Sequence, residues 1–93
     1  MRDIDKIIES LSSTYPALAH EQLRVLHPGA DDSGLWFFRH PGSTFEVQLE
    51  SPTGDCPFLY ETDELHAPVQ AGTVEEAISL VAAGLGLAPP QPN

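Results

Sequence analysis

The sequence predicts a small two-layer α+β domain, ordered α-β-β-β-β-α. An antiparallel meander sheet is expected, with the N- and C-terminal helices packed on one of its faces. Three observations predict it. Two segments, one early and one late in the chain, carry apolar residues at helical spacing. Between them lie strand-length apolar runs separated by short turn-rich segments. The 93 residues are enough for one modest core and leave no room for a second domain beside it. One domain over 1–87 is expected, followed by a disordered Pro-rich tail over 88–93.

Residues 3–13 read as an amphipathic helix. Ile4, Ile7, Ile8 and Leu11 fall at i, i+3, i+4 and i+7 on one stripe. Asp3 or Asp5 supplies the negative charge that favours a helix N-terminus. Ser12-Ser13-Thr14 and then Pro16 stop it near Ser13, and Tyr15, preceding proline, is pushed out of the helical region. The next stretch reads two ways. Leu23, Val25 and His27 alternate with Arg24 and Leu26, which predicts a strand over Gln22 to His27; Ala17 to Leu23 has the composition of a helical turn instead. Pro28-Gly29 ends either element, and 29–34 is a loop of turn formers.

The stretch from Leu35 to Glu61 holds the only Trp, all four Phe and one of the two Tyr, so the core must be built on it. Leu35 to Phe38 is one strand. Phe45, Val47 and Leu49 alternate with Glu46, Gln48 and Glu50 in a second, half-buried one. Pro57 to Glu61 is the third. The turns at His40 to Ser43 and Ser51 to Asp55 are too short for a parallel crossover, so neighbouring strands must be antiparallel. Glu64 to Gly72 shows no regular pattern and contains Pro68. Thr73-Val74-Glu75-Glu76 then has the form of a capping box. Val74, Ala77, Ile78, Val81 and Leu85 make the stripe behind it, and Gly84 and Gly86 supply the stop.

Charge narrows the function classes. Four basic residues face fourteen acids, a formal net charge of −10. Such a surface repels phosphate backbones and anionic lipid, so neither a nucleic-acid nor a membrane partner is expected. It favours basic protein partners, cations, or simply solubility. A single cysteine, Cys56, excludes an intramolecular disulfide. No apolar run has the form of a signal peptide or a spanning helix, and a cytoplasmic setting is expected.

Catalytic signatures are sparse. There is no Gly-rich phosphate loop, nucleophile elbow or basic stripe, and no cofactor is expected. His20, His27, His40 and His66 do not fall at zinc spacings with one another or with Cys56. Asp31-Asp32-Ser33-Gly34 starts like a calcium loop but lacks the later ligands, so it reads as a turn. A rival reading, enzyme or metal binder, centres on Glu50, Asp55, Cys56 and Glu61, because paired carboxylates can do acid–base work or hold a cation. The neighbouring Asp55 disfavours a Cys56 thiolate, and no base is marked beside it.

The aromatic run gives the sharper inference. Trp36 and Phe38 point to one face of their strand, Leu35 and Phe37 to the other. With both helices on one face, one set must lie on the uncovered face. Placing Trp36 and Phe38 there, beside Glu46, Gln48 and Glu50, gives an aromatic and acidic protein-contact patch. Segments 14–21 or 62–72, or a second copy in a homodimer joined through the sheet, are the other ways to cover it.

The run Phe45 to Leu59, followed by the Thr73-Val74-Glu75-Glu76-Ala77 helix start, resembles a pattern in small bacterial proteins. Size, acidity and layout are similar to those of the immunity proteins of bacterial toxin systems. That resemblance implies stoichiometric binding of a toxin. The helix–three-strand–helix order is also similar to that of acidic secretion chaperones, although this chain is shorter and lacks their later strands.

Overall fold

The structure, a computed structural model, describes residues 1–22 and 34–87. Its elements are α1 (Asp3–Thr14), β1 (Ala19–Gln22), β2 (Leu35–Arg39), β3 (Val47–Glu50), β4 (Phe58–Thr62), β5 (Val69–Ala71) and α2 (Val74–Gly84). The strands form one sheet in chain order, every neighbouring pair antiparallel. The two-layer α+β meander is therefore the fold, with five strands where the sequence suggested four.

The differences have local causes. The first described strand is Ala19–Gln22, and its pairing of His20 with Phe38 and Glu21 with Phe37 makes this stretch a strand rather than a helical turn; of the strand expected over Gln22 to His27, only Gln22 is among the described residues. Residues 23–27, the predicted loop over 29–33 and the tail over 88–93 lie outside the described residues. The third strand starts at Val47 rather than Phe45. The Phe45 N–H donates to Ser43 Oγ at 3.0 Å, so local side-chain bonding diverts the backbone before it joins the ladder. The extra strand, β5, is three residues on an edge. That is too short to show alternation, and Pro68 sits just before it, where an edge strand tolerates proline.

Register sorts the side chains into two faces. On one face run the rows Gln22–Trp36–Leu49–Tyr60–Val69 and His20–Phe38–Val47–Thr62, with Phe58 beside Ala71. Both helices pack here. Ile4, Ile7 and Leu11 of α1, with Ala77 and Val81 of α2, are fully buried with Phe38, Val47, Leu49, Phe58 and Ala71. Burying each large aliphatic or aromatic side chain contributes on the order of 1.5–3 kcal/mol, so this layer dominates the stability.

Two joints fix the helices. At α2, Thr73 Oγ1 accepts from the Glu76 N–H at 3.1 Å, the hydroxyl half of the expected box. At α1, the 51–56 turn closes onto the first helical residues. The Ile4 N–H donates to Gly54 O at 2.8 Å. The Asp3 N–H donates to Asp55 Oδ1 at 3.0 Å, and the Cys56 N–H donates to Asp3 Oδ2 at 2.9 Å. Gly54 has φ +79°, a backbone conformation suited to glycine. A Cβ there would also crowd Ile4 Cγ2 at 3.2 Å. Ser51, the one buried polar residue among those described, turns its hydroxyl onto Asp55 O at 2.6 Å.

Candidate functional site

The face without helices carries three rows. Leu35, Glu50, Leu59 and Gln70 lie across four strands in one; Glu21, Phe37, Gln48 and Glu61 make the next; Ala19 and Arg39 follow. Leu35, Phe37, Gln48 and Glu61 are half-buried by their neighbours, whereas Leu59 is 42% exposed and Glu50 is exposed. Arg39 is already engaged: its guanidinium pairs with Glu46, just before β3, and with Glu21 Oε2 at 3.5 Å. The Glu46 carboxylate, first of all, holds the Arg39 pKa above its ordinary value. The face thus reads as a shallow apolar centre of Leu35, Phe37 and Leu59, set among Glu21, Glu50 and Glu61.

The expected contact patch must be corrected in its aromatic half. Trp36 is 3% exposed and Phe38 0%; both lie beneath the helices, and the Arg2 guanidinium stands 5.9 Å from the Trp36 ring centroid. Neither side chain can meet a partner in this fold. The reason is register. Trp36 pairs with Leu49 and Phe38 with Val47, the two inward residues of β3, so all four share a face. Leu35 and Phe37 take the outer face, opposite Glu50 and Gln48. Of the polar half, Gln48 and Glu50 lie on the uncovered face, and Glu46, just before β3, pairs with Arg39 of that face.

The rival constellation divides into two places. Glu50 and Glu61 are diagonal neighbours on the uncovered face, since Glu50 pairs with Leu59 and Glu61 with Gln48. Asp55 and Cys56 lie instead against the first turn of α1, bonded through their backbone or side chain to Asp3. Burial first, then hydrogen bonding to Asp3 and the charges of Asp3, Asp55 and Glu75, pushes the Cys56 thiol above its ordinary value. The thiol is therefore kept protonated at neutral pH, the opposite of what a nucleophile needs. Among the described residues, no group of three or more His, Cys, Asp or Glu side chains is arranged to hold a metal ion. His40 has a local role: its Nδ1 accepts from the Gly42 N–H at 3.0 Å and shapes the turn between β2 and β3. No helix of the described residues is long and apolar enough to cross a membrane.

Two surface features were not visible in the sequence. Phe45, expected to point inward with Val47 and Leu49, is 45% exposed at the end of the sheet. It stands between two hollows. One, of about 330 Å³, is lined by Tyr60, Glu64, Leu65 and the last turn of α2. The other, of about 480 Å³, is lined by Ala17, Arg39, His40 and Pro41. The signal for this was present in Ser43, whose hydroxyl claims the Phe45 N–H, but only the structure shows which way the ring turns.

Comparison with protein-family models, with curated proteins and with solved structures gave no match.

Proposed function

We propose that the chain is a non-enzymatic protein-binding module that occludes a basic protein partner, in the manner of an immunity or inhibitor protein. The observation that carries this reading is the one-sided packing. A five-stranded sheet has both helices on one face and presents Leu35, Phe37 and Leu59 among carboxylates on the other. A few apolar anchors ringed by charge are what a protein contact needs, because the anchors supply most of the affinity and the charges steer the approach. The steering is one-signed. Arg39, on this face, is neutralised by Glu21 and Glu46, and the chain as a whole carries −10. The division of Glu50 and Glu61 from Asp55 and Cys56 favours binding over catalysis as the use of these acids.

The test is capture from the native host with the immobilised chain, at about 0.05 M and about 0.5 M salt. Native chain is compared with Phe37→Asp and with the more conservative Leu59→Ser. A specific partner should be retained at low salt, weakened at high salt, and lost with Phe37→Asp while the variant keeps its native circular dichroism. The reading is overturned if the variants capture the same proteins as the native chain. It is equally overturned if the captured species is a second copy of the chain.

A further inference from the structure

The hollow beside Phe45 has a chemistry of its own. Tyr60, 6% exposed, forms its floor. Its hydroxyl lies against Gly84, where an added Cβ would overlap Tyr60 Oη and stand 2.7 Å from Val47 Cγ2. Glycine at this position is what lets the last turn of α2 close down on the ring. Phe45 and Leu65, 45% and 39% exposed, are the apolar walls. Glu64 stands on the rim, close enough that its charge, after burial, helps hold the Tyr60 hydroxyl above its ordinary pKa. The C-terminal end of α2 also closes this hollow, and its last turn contains no basic residue. A helix C-terminus carries partial negative charge. Aromatic and aliphatic walls, a carboxylate rim and a helix C-terminus together select a cation on an apolar stem.

We propose that this hollow is the subsite for an arginine side chain of the basic partner, its guanidinium stacked on Phe45 and paired with Glu64. The subsite rests on the protein-binding reading above and lies off the uncovered face, at the end of the sheet. Arginine fits better than lysine because a planar guanidinium can stack on an aromatic face and pair with a carboxylate at once. The larger hollow across Phe45 competes less well for it, because the carboxylate that lines it, Glu46, is already paired with Arg39.

The test needs no partner. The full-length chain is titrated with N-acetyl-arginine methylamide, and with the neutral isostere N-acetyl-citrulline methylamide, while amide chemical shifts are recorded. The arginine probe should give saturable shifts centred on Glu64, Leu65, Gly84 and Gly86. Binding should weaken about fivefold in Phe45→Ala, the loss of one exposed cation–π contact, and by a similar factor in Glu64→Gln. Both side chains are at the surface, and unshifted core amides will show that the variants keep the fold; if Phe45→Ala does not, Glu64→Gln decides alone. Absence of saturation, shifts spread evenly over the acidic surface, or equal affinity for the citrulline probe overturns the proposal. A failed probe with salt-sensitive capture intact removes this subsite only. A bound probe with no capturable protein removes the partner reading instead.

Discussion

Asp3 is the residue that ties the two ends of the α1 joint together. Its carboxylate takes the Cys56 N–H, while its own N–H goes to Asp55. The bond from the Cys56 backbone is the first cause holding its pKa below the ordinary 3.8; burial opposes, and the Cys56 thiol and Lys6 assist. A carboxyl with a depressed folded pKa favours the folded state above its unfolded pKa. That contribution is lost as pH falls through the folded value. Asp5, lowered mainly by its hydrogen bond with Arg2, acts in the same direction. Acidification from about pH 6 to about pH 3 should therefore destabilise the native chain more than Asp3→Asn. The asparagine keeps an acceptor for Cys56 but has no proton to take up. Urea midpoints at the two pH values measure this. Equal losses in the two proteins would assign the acid sensitivity to other carboxylates.

At the scale of elements, α2 rests on one sequence signal, the capping box at Thr73, of which the structure shows the hydroxyl half. Thr73→Ala should cost about 1 kcal/mol of stability, because Glu76 N–H then loses its acceptor at the helix start. Thr73→Ser should cost at most a few tenths, since serine keeps the hydroxyl that accepts from the Glu76 N–H. Urea denaturation of the two variants reads the contrast, and equal costs would mean that the cap bond does not carry the effect. Both helices could be read in advance because their stripes repeat at the period of the element itself, as Ile4, Ile7 and Leu11 do. β3 was legible for the same reason: Val47 and Leu49 are inward, Gln48 and Glu50 outward. β5 was not, because three residues with the burial order exposed, exposed, buried contain no period. The aromatic half of the candidate site failed for a subtler reason. Alternation within β2 divides Trp36 and Phe38 from Leu35 and Phe37, but only the pairing across to β3 says which set is inside. That pairing depends on the 40–46 turn, where His40 and Ser43 each bond to nearby backbone. A one-residue slip there would exchange the two faces.

For the whole molecule, the register makes neighbours at positions 36 and 37 answer different questions. Trp36→Ala removes a buried ring from the layer between helices and sheet and should cost about 3–5 kcal/mol. Phe37→Ala trims a half-buried ring on the uncovered face, so it should cost much less stability and act on binding instead. Net charge then separates the two kinds of partner proposed for this face. A basic protein is attracted to a chain of −10, so its complex weakens as salt screens that attraction. A second copy brings its own Glu21, Glu50 and Glu61 to the same face and the same net charge. Screening relieves that repulsion, so self-association must strengthen with salt. Sedimentation of the isolated chain from about 0.05 to about 0.5 M salt should therefore show a monomer at the low end. The Phe37→Ala chain should behave identically there. A dimer that is already formed at low salt and lost with Phe37→Ala would mean that the sheet face evolved to meet itself, with Leu35, Phe37 and Leu59 strong enough to overcome the repulsion. A native monomer across the range would exclude self-association through Leu35, Phe37 and Leu59, in keeping with the proposed partner of opposite charge.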